Sequence, residues 1–255
     1  MKKIIAIIPS RYGSSRFPGK PLAVILNKPM IQWVYERVAN VNEISDVYVA
    51  TDDSRIYDVV VGFGGKAIMT GDCACGTDRI YNAACTIADG EYDSLDADII
   101  LNIQGDEPSI KLEMMEDLIS AFDDSAVQMA TLKKEISSDE DENNPNMVKV
   151  ITDANGDAIY FSRSAIPYNR DNNDVTYYKH VGVYGYTKDM LKTFVNWDRT
   201  SLEIAENLEQ LRAVENGIKI RTVETKHQSV GVDLPEHIEL VEKELINSNL
   251  KEKNC

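Results

Sequence analysis

Ile4-Ile-Ala-Ile-Ile8, followed by Pro9-Ser-Arg-Tyr-Gly-Ser-Ser-Arg-Phe-Pro-Gly-Lys-Pro21, is the stretch from which the fold can be read. Five consecutive apolar residues are the mark of a parallel strand covered on both faces. The Gly, Pro and Ser residues behind them predict an irregular loop over 9–21, with the strand stopping at Pro9. Lys2-Lys3 ahead of the run give it the look of a signal peptide. The run is too short for one, however, and Arg11 follows it. Outward from this pair the chain alternates. Met30, Val34 and Val38 are spaced for an amphipathic helix. Val47–Ala50 reads as a strand, and Ser54–Phe63 as a helix closed by Gly64-Gly65. Ala67–Met69 is a short strand, Thr77–Ala88 a helix and Ala97–Ile103 a strand. Such alternation predicts an α/β fold: a Rossmann-like, open, mainly parallel sheet flanked by helices. Ligands of such sheets bind beyond the carboxyl ends of the strands. The loops carrying the most chemistry, 9–21, 51–53, 70–79 and 104–108, all fall there.

The second half is more mixed. Ser137–Asn146 is an acidic, solvated loop. Val148–Thr152, Asp157–Phe161 and His180–Tyr186 read as strands, the first two joined by a turn at Asp153-Ala-Asn-Gly156. Residues 203–216 are predicted as one helix with Leu208, Leu211 and Val214 at core spacing. Pro235–Leu245 is a final helix, and Ser248–Cys255 a frayed polar tail. The chain is expected to be a single domain over 1–255: a nucleotide-type core over roughly 1–130, a smaller mixed α/β subregion over 131–230, and a return to the core over 231–247.

The charge is uneven. The 42 acidic and 27 basic residues give −15 overall, which excludes nucleic-acid and anionic-membrane partners that need a cationic face. Yet Lys2, Lys3, Arg11, Arg16, Lys20 and Lys28 all precede the first acid, Glu36, leaving 21 basic residues against 42 acidic ones behind them. Four cysteines (Cys73, Cys75, Cys85, Cys255) are too few and ill-spaced for a disulfide framework or a zinc site, so they are expected to be reduced thiols in a cytoplasmic protein. Nothing approaches the 18 apolar residues of a transmembrane span.

Arg11, Arg16 and Lys20, set between Gly13 and Gly19, offer cations and backbone amides of the kind a polyphosphate needs. The loop is not a Walker A motif, because Pro21 stands where Ser or Thr is required. Gln104-Gly-Asp-Glu-Pro108 places carboxylates at the sheet's ligand edge. Asp106 there, and Asp233 in Gly231-Val-Asp-Leu-Pro235, are candidate ligands for Mg²⁺, which takes few protein carboxylates and completes its shell with phosphate and water. Asp233 ahead of Pro235 equally suits a helix N-cap.

Taken together, Ile7-Ile-Pro-Ser-Arg-Tyr-Gly-Ser-Ser-Arg-Phe-Pro-Gly-Lys-Pro-Leu22, Ala50-Thr-Asp-Asp53, Gly76-Thr-Asp-Arg79, Asn102-Ile-Gln-Gly-Asp-Glu-Pro108, Tyr160-Phe-Ser-Arg-Ser-Ala-Ile-Pro167, Lys179-His-Val-Gly-Val-Tyr-Gly-Tyr186, Leu208-Glu-Gln-Leu-Arg212 and Gly231-Val-Asp-Leu-Pro-Glu236 resemble, in order and spacing, the 3-deoxy-manno-octulosonate (Kdo) cytidylyltransferase, or CMP-Kdo synthetase, family. The resemblance runs from about residue 3 to about residue 246. Two departures stand out: Asp78 replaces the commoner Glu, and Cys73-Ala-Cys75 replaces a polar stretch. They leave an 8-amino analogue open as the sugar.

The resemblance implies a cytidylyl transfer from CTP to Kdo with release of pyrophosphate, activating the sugar for lipopolysaccharide biosynthesis. It implies Pro9, Ser10, Arg11, Arg16, Lys20 and Arg79 as nucleotide-binding, with Arg11, Lys20 and Asp106 catalytic and Asp106 and Asp233 holding Mg²⁺. Gln104 of the core, with Arg163, His180, Tyr184, Glu209 and Gln210 of the smaller subregion, would form the sugar-acid pocket, and the smaller subregion would also build a homodimer. Structural roles compete for the last group: a strand-edge hydrogen bond for Gln104 and His180, a carboxylate partner for Arg163, and a solvated helix face for Glu209 and Gln210. Two other readings are a synthetase for a sialic-acid-like nonulosonate and a nucleotide-binding module without turnover. The intact set of Arg11, Lys20, Asp106 and Asp233 argues against the second.

Overall fold

The computed structural model describes residues 2–13, 16–137, 139–171 and 173–252, with side chains described up to residue 247. The chain divides into two compact units, 1–115 with 228–255, and 116–227.

In the first unit the apolar run forms β1 (Ile4–Ser10), buried almost throughout. The strand passes through Pro9 rather than stopping there. The carbonyl of Ile7 accepts from Ile103 on one flank, and Pro9, two residues on, turns its backbone to that same flank, where the neighbouring strand has already ended. No ladder hydrogen bond is lost, so proline is tolerated. A two-residue hairpin, β2 (Val24–Ile25) and β3 (Lys28–Pro29), turns through Leu26 and Asn27 at φ 45° and 67°, the left-handed pair that a tight hairpin requires. There follow α1 (Met30–Ala39), β4 (Ile44–Thr51), α2 (Ser54–Gly62), β5 (Lys66–Met69), α3 (Gly76–Ile87) and β6 (Ile99–Asn102). The strands lie in the order β6-β1-β4-β5, all parallel. The expected α/β, mainly parallel sheet with flanking helices is therefore present. α4 (Leu112–Ser120), which the sequence reading had not assigned, leads out of this unit.

The second unit is built on β7 (Met129–Glu135), β8 (Lys149–Thr152), β9 (Ala158–Ser162), β10 (Tyr178–Thr187), the helices α5 (Lys188–Val195), α6 (Ser201–Glu206) and α7 (Leu211–Glu215), and β11 (Ile220–Glu224). β7 lies antiparallel to β10 and parallel to β11, while β8 pairs antiparallel with both β10 and β9. The β8–β9 turn is made as expected: Gly156 N donates to Asp153 O at 3.1 Å, with Gly156 at φ 82°. The single helix expected over 203–216 is two. Asn207 enters the left-handed region at φ 51° and Leu208 N closes back on Glu203 O, a helix-terminating geometry. The break lets Arg212 fold back on buried Glu203 with two hydrogen bonds of 2.8 Å.

The chain returns to the first unit through α8 (His237–Glu252). Residues 248–252, expected as frayed tail, continue this helix; 253–255 lie outside the described residues. Val232, Val241 and Leu245 pack with Ile25 and Met30 in a buried cluster that also takes in Phe17 and Val230. Phe17 thereby anchors the 9–21 loop against the returning segment. No helix among the described residues is long and apolar enough to cross a membrane.

Candidate active site

The 9–21 loop is closed on itself before any ligand is considered. Gly19 sits at φ 70° and donates to Tyr12 O at 2.9 Å, and a Cβ there would stand 3.1 Å from the Tyr12 ring. A side chain here would be strained in conformation and pressed on the ring. The Arg55 guanidinium, held by Asp53 at the start of α2, stacks on the same ring 3.4 Å from its centre. Closure leads into a 3₁₀ turn, Lys20–Leu22, that presents Lys20.

Lys20 Nζ lies 2.6 Å from Asp106 Oδ2 and 3.7 Å from Asp233 Oδ1, and Arg16 Nη2 is 3.0 Å from that same Asp233 oxygen. Residues 16, 20, 106 and 233 thus meet in one cluster. Two approaches bring the carboxylates there. At Gly105 a Cβ would stand 2.9 Å from Pro9 O, so only glycine lets this loop lie against the end of β1. The segment 228–233 is laced to 106–109: Val232 N donates to Asp106 O at 2.8 Å, Val230 N to Ser109 Oγ at 2.6 Å, and Ser229 Oγ to Glu107 Oε2 at 2.5 Å. Burial lifts the Glu107 carboxyl to about 7, the nearby Asp106 charge adding to the effect and the Ser229 bond opposing it. Asp233 is not a helix N-cap; its own N–H donates to His237 Nδ1 at 3.1 Å.

Two carboxylates gathered on a single ammonium form a donor set that suits Mg²⁺. No group of three or more His, Cys, Asp or Glu side chains converges among the described residues, so a cation here would depend on ligand oxygens as well.

The other nucleotide candidates divide. Ser10 is buried and its Oγ has no hydrogen-bond partner, a donor in want of a ligand at the strand's carboxyl end. Arg11 is exposed and forms no ion pair among the described residues. Arg79 is buried, its guanidinium committed to Thr70 Oγ1 and Asp52 Oδ2, both at 2.6 Å. It ties together the loops after β4 and β5 at the start of α3. Asp52 and Thr70 were not singled out by the sequence reading, although both lie in loops it flagged.

Of the sugar-acid candidates, Gln104 lies in the first unit beside Gly105, half-buried. The other five lie in the second. His180 Nε2 is 3.0 Å from Thr131 Oγ1, with its ring edge-on to Phe161 and 5.4 Å from that of Tyr184. Burial alone drives the imidazole down to about 3, and burial raises the Tyr184 hydroxyl well above its ordinary value. Gln210, far from being a solvated helix residue, is buried with Nε2 lacking a partner. Glu209 is half-buried, 3.7 Å from Arg212. The Arg163 guanidinium binds three backbone carbonyls, Glu206 O at 2.8 Å, Pro145 O at 3.0 Å and Asn207 O at 3.4 Å, and so frames this region.

Comparison with known proteins gives a consistent picture. The family model described as cytidylyltransferase matches residues 5–220. The chain is 50% identical over 248 residues, 94% of this chain and 96% of the other, to a 3-deoxy-manno-octulosonate cytidylyltransferase of Thermodesulfovibrio yellowstonii. It is 47% identical over 245 residues, 95% and 98% of the two chains, to an 8-amino-3,8-dideoxy-manno-octulosonate cytidylyltransferase of Shewanella halifaxensis. Among solved structures it resembles a CMP:2-keto-3-deoxy-manno-octonic acid synthetase complexed with CTP, at TM-score 0.89 and 44% identity, over 96% of this chain and 99% of that one.

Proposed function

Because the chain belongs to the cytidylyltransferase family, we propose that it transfers the cytidylyl group of CTP to 3-deoxy-manno-octulosonate or its 8-amino analogue, releasing pyrophosphate. The observation that carries this reading is Lys20 Nζ seated between Asp106 and Asp233 at the carboxyl end of the sheet. The relatives' names favour an eight-carbon sugar acid over a sialic-acid-like nonulosonate.

In this reading the 9–21 loop cradles the triphosphate, with Arg11, Arg16 and Lys20 as its cations and Pro9, Ser10 and the region of Arg79 facing the nucleoside. The sugar's anomeric hydroxyl attacks the α-phosphorus in line, and catalysis is chiefly positioning and charge stabilisation. Lys20, a compact ammonium held by its two carboxylates, neutralises charge that develops on the phosphoryl oxygens. Asp106 and Asp233 would hold Mg²⁺, which supplies phosphate charge neutralisation and lowers the pKa of a coordinated hydroxyl. His180, Tyr184, Glu209, Gln210 and Gln104 read the sugar acid, with Arg163 framing the region. The orphaned donor of Gln210 supports a polar ligand. We extend the reading to a cytoplasmic homodimer acting in lipopolysaccharide biosynthesis.

The test is pyrophosphate release from CTP and Mg²⁺ with Kdo, 8-amino-Kdo or N-acetylneuraminate supplied separately. Release with either eight-carbon acid is expected; release with neuraminate alone would overturn the sugar assignment, and none with any would overturn the transferase.

A further inference from the structure

The antiparallel register of β10 against β7 slips between Val181 and Tyr184: Val181 faces Leu132 and Tyr184 faces the very next residue, Thr131. Gly182 and Val183 are thus bulged out of the ladder, and bulges re-aim side chains. Thr131, fully buried, lies opposite the bulge. Its hydroxyl oxygen is 2.7 Å from Val183 O, 3.2 Å from Val181 O and 3.0 Å from His180 Nε2.

A hydroxyl has one proton to give and lone pairs to accept with. Both carbonyls can only accept, and Val183 O is the nearest of the three. The Thr131 proton therefore belongs to the carbonyl of the bulge, and the third contact is satisfied only if His180 Nε2 carries a hydrogen and donates it to Thr131 Oγ1. The ring of a neutral imidazole holds one hydrogen, so Nδ1 is then a bare acceptor, and it makes no hydrogen bond among the described residues.

We propose that Thr131 is a positioning residue that locks His180 in the Nε2–H tautomer, so that the ring meets the sugar through Nδ1 as an acceptor from a hydroxyl or ammonium group and not as a cation for the carboxylate. The inference deepens the sugar-site reading and rests on it for the identity of the ligand, but not for the tautomer. Burial, which keeps the ring neutral across the ordinary pH range, agrees with it. No charged group contributes to that depression, and a neutral ring brings no positive charge to the carboxylate of the sugar acid.

The chain has only three histidines, so nitrogen-15 spectra of the labelled free protein can be assigned by comparison with His180→Gln. A pyrrole-type Nε2 and a pyridine-type Nδ1 at neutral pH are expected for His180. The reverse pattern, or a protonated ring, would overturn the proposal on the wild-type protein alone. Thr131→Ser keeps the hydroxyl and should preserve the pattern, with KM for the sugar acid within about twofold. Thr131→Val removes the acceptor; the pattern should be lost and the sugar KM should rise roughly tenfold with CTP KM unchanged, the scale of one hydrogen bond. An unaltered tautomer in Thr131→Val would refute the lock. If instead His180→Gln left the sugar KM unaltered while the spectra were as expected, the lock would stand and the sugar-site reading would fail.

Discussion

Replacing Lys20 with methionine separates catalysis from stability, because the structure assigns the two very different magnitudes. The Lys20 side chain is 12% exposed, but its partners Asp106 and Asp233 are 36% and 51% exposed. Carboxylates so open to water stay hydrated when the ammonium is removed, so the lost ion pairs belong to the surface class worth at most about 1 kcal/mol. Methionine keeps the apolar stem packed. For a chain of this size such a loss lowers Tm by roughly 2–4 °C. The catalytic cost is larger. Loss of one preorganised group facing developing phosphoryl charge, if it acts like an oxyanion-hole donor, removes about 10²–10³ in kcat, or roughly 2.7–4 kcal/mol. Steady-state pyrophosphate release and thermal unfolding, run on one preparation, read both. A variant within about threefold of wild-type kcat would refute the role given to Lys20. A collapse in Tm with activity recovering in the cold would show that the residue only holds the loop.

Gly105→Ala should lower Tm by several degrees and depress kcat as well, since its Cβ would meet Pro9 O at 2.9 Å and overpacking costs about 1–3 kcal/mol; calorimetry and turnover on the same sample check both. Burial holds the folded His180 at about 3 against 6.5 unfolded, so the unfolded chain binds more protons between those values and stability must fall as pH drops below about 6.5. His180→Gln should remove up to ~1.4 kcal/mol per pH unit from that slope in urea titrations; an unchanged slope would place the ring in contact with water. CTP binding measured by calorimetry should weaken at least about tenfold when EDTA replaces Mg²⁺, and equal affinity without the metal would leave Asp106 and Asp233 with no cation to hold.

The first unit was legible because its strands are short apolar runs bounded by Gly, Pro or Asp, each followed by helical spacing. The second was less so for particular reasons. β7 reads Met-Ala-Thr-Leu-Lys-Lys-Glu and β11 Ile-Arg-Thr-Val-Glu, where charges interrupt any clean run of two-residue alternation, although Asn216-Gly217 marks the turn ahead of β11. The helix expected over 203–216 is two: apolar spacing continues through Asn207 while the backbone does not; Leu208 and Leu211 are buried as the spacing suggests, and the turn also brings Arg212 onto buried Glu203. In the site, single residues were legible and their pairing was not. Periodicity cannot say that Arg16 meets Asp233 across 217 positions, and the ordered motifs of a known family suggested only that both serve one site. The serine clasp on Glu107 and the hydroxyl of Thr131 left no signal, since a serine or threonine in a strand or loop is ordinary in composition.

The cationic N-terminal segment needs the sharpest revision. Its six charges suggested a positive sink for polyanions, but Lys3 pairs with Asp96 and Lys28 with Glu36, away from the cluster. Of the remainder, Arg16 and Lys20 face two carboxylates, so the cluster is locally balanced and not basic. A balanced cluster gains little from long-range attraction of a triphosphate, which is the usual service of a basic patch. What it would offer instead is exchange: anionic oxygens would take the place of Asp106 and Asp233 beside Arg16 and Lys20, and the two carboxylates so released would be the residues to hold a divalent cation. On the proposed reading, such an arrangement would favour the metal–nucleotide complex over the free nucleotide, since only the complex would satisfy both halves of the cluster at once. The acidity of the chain as a whole would work in the same direction, repelling uncomplexed polyanions more than a partly neutralised form.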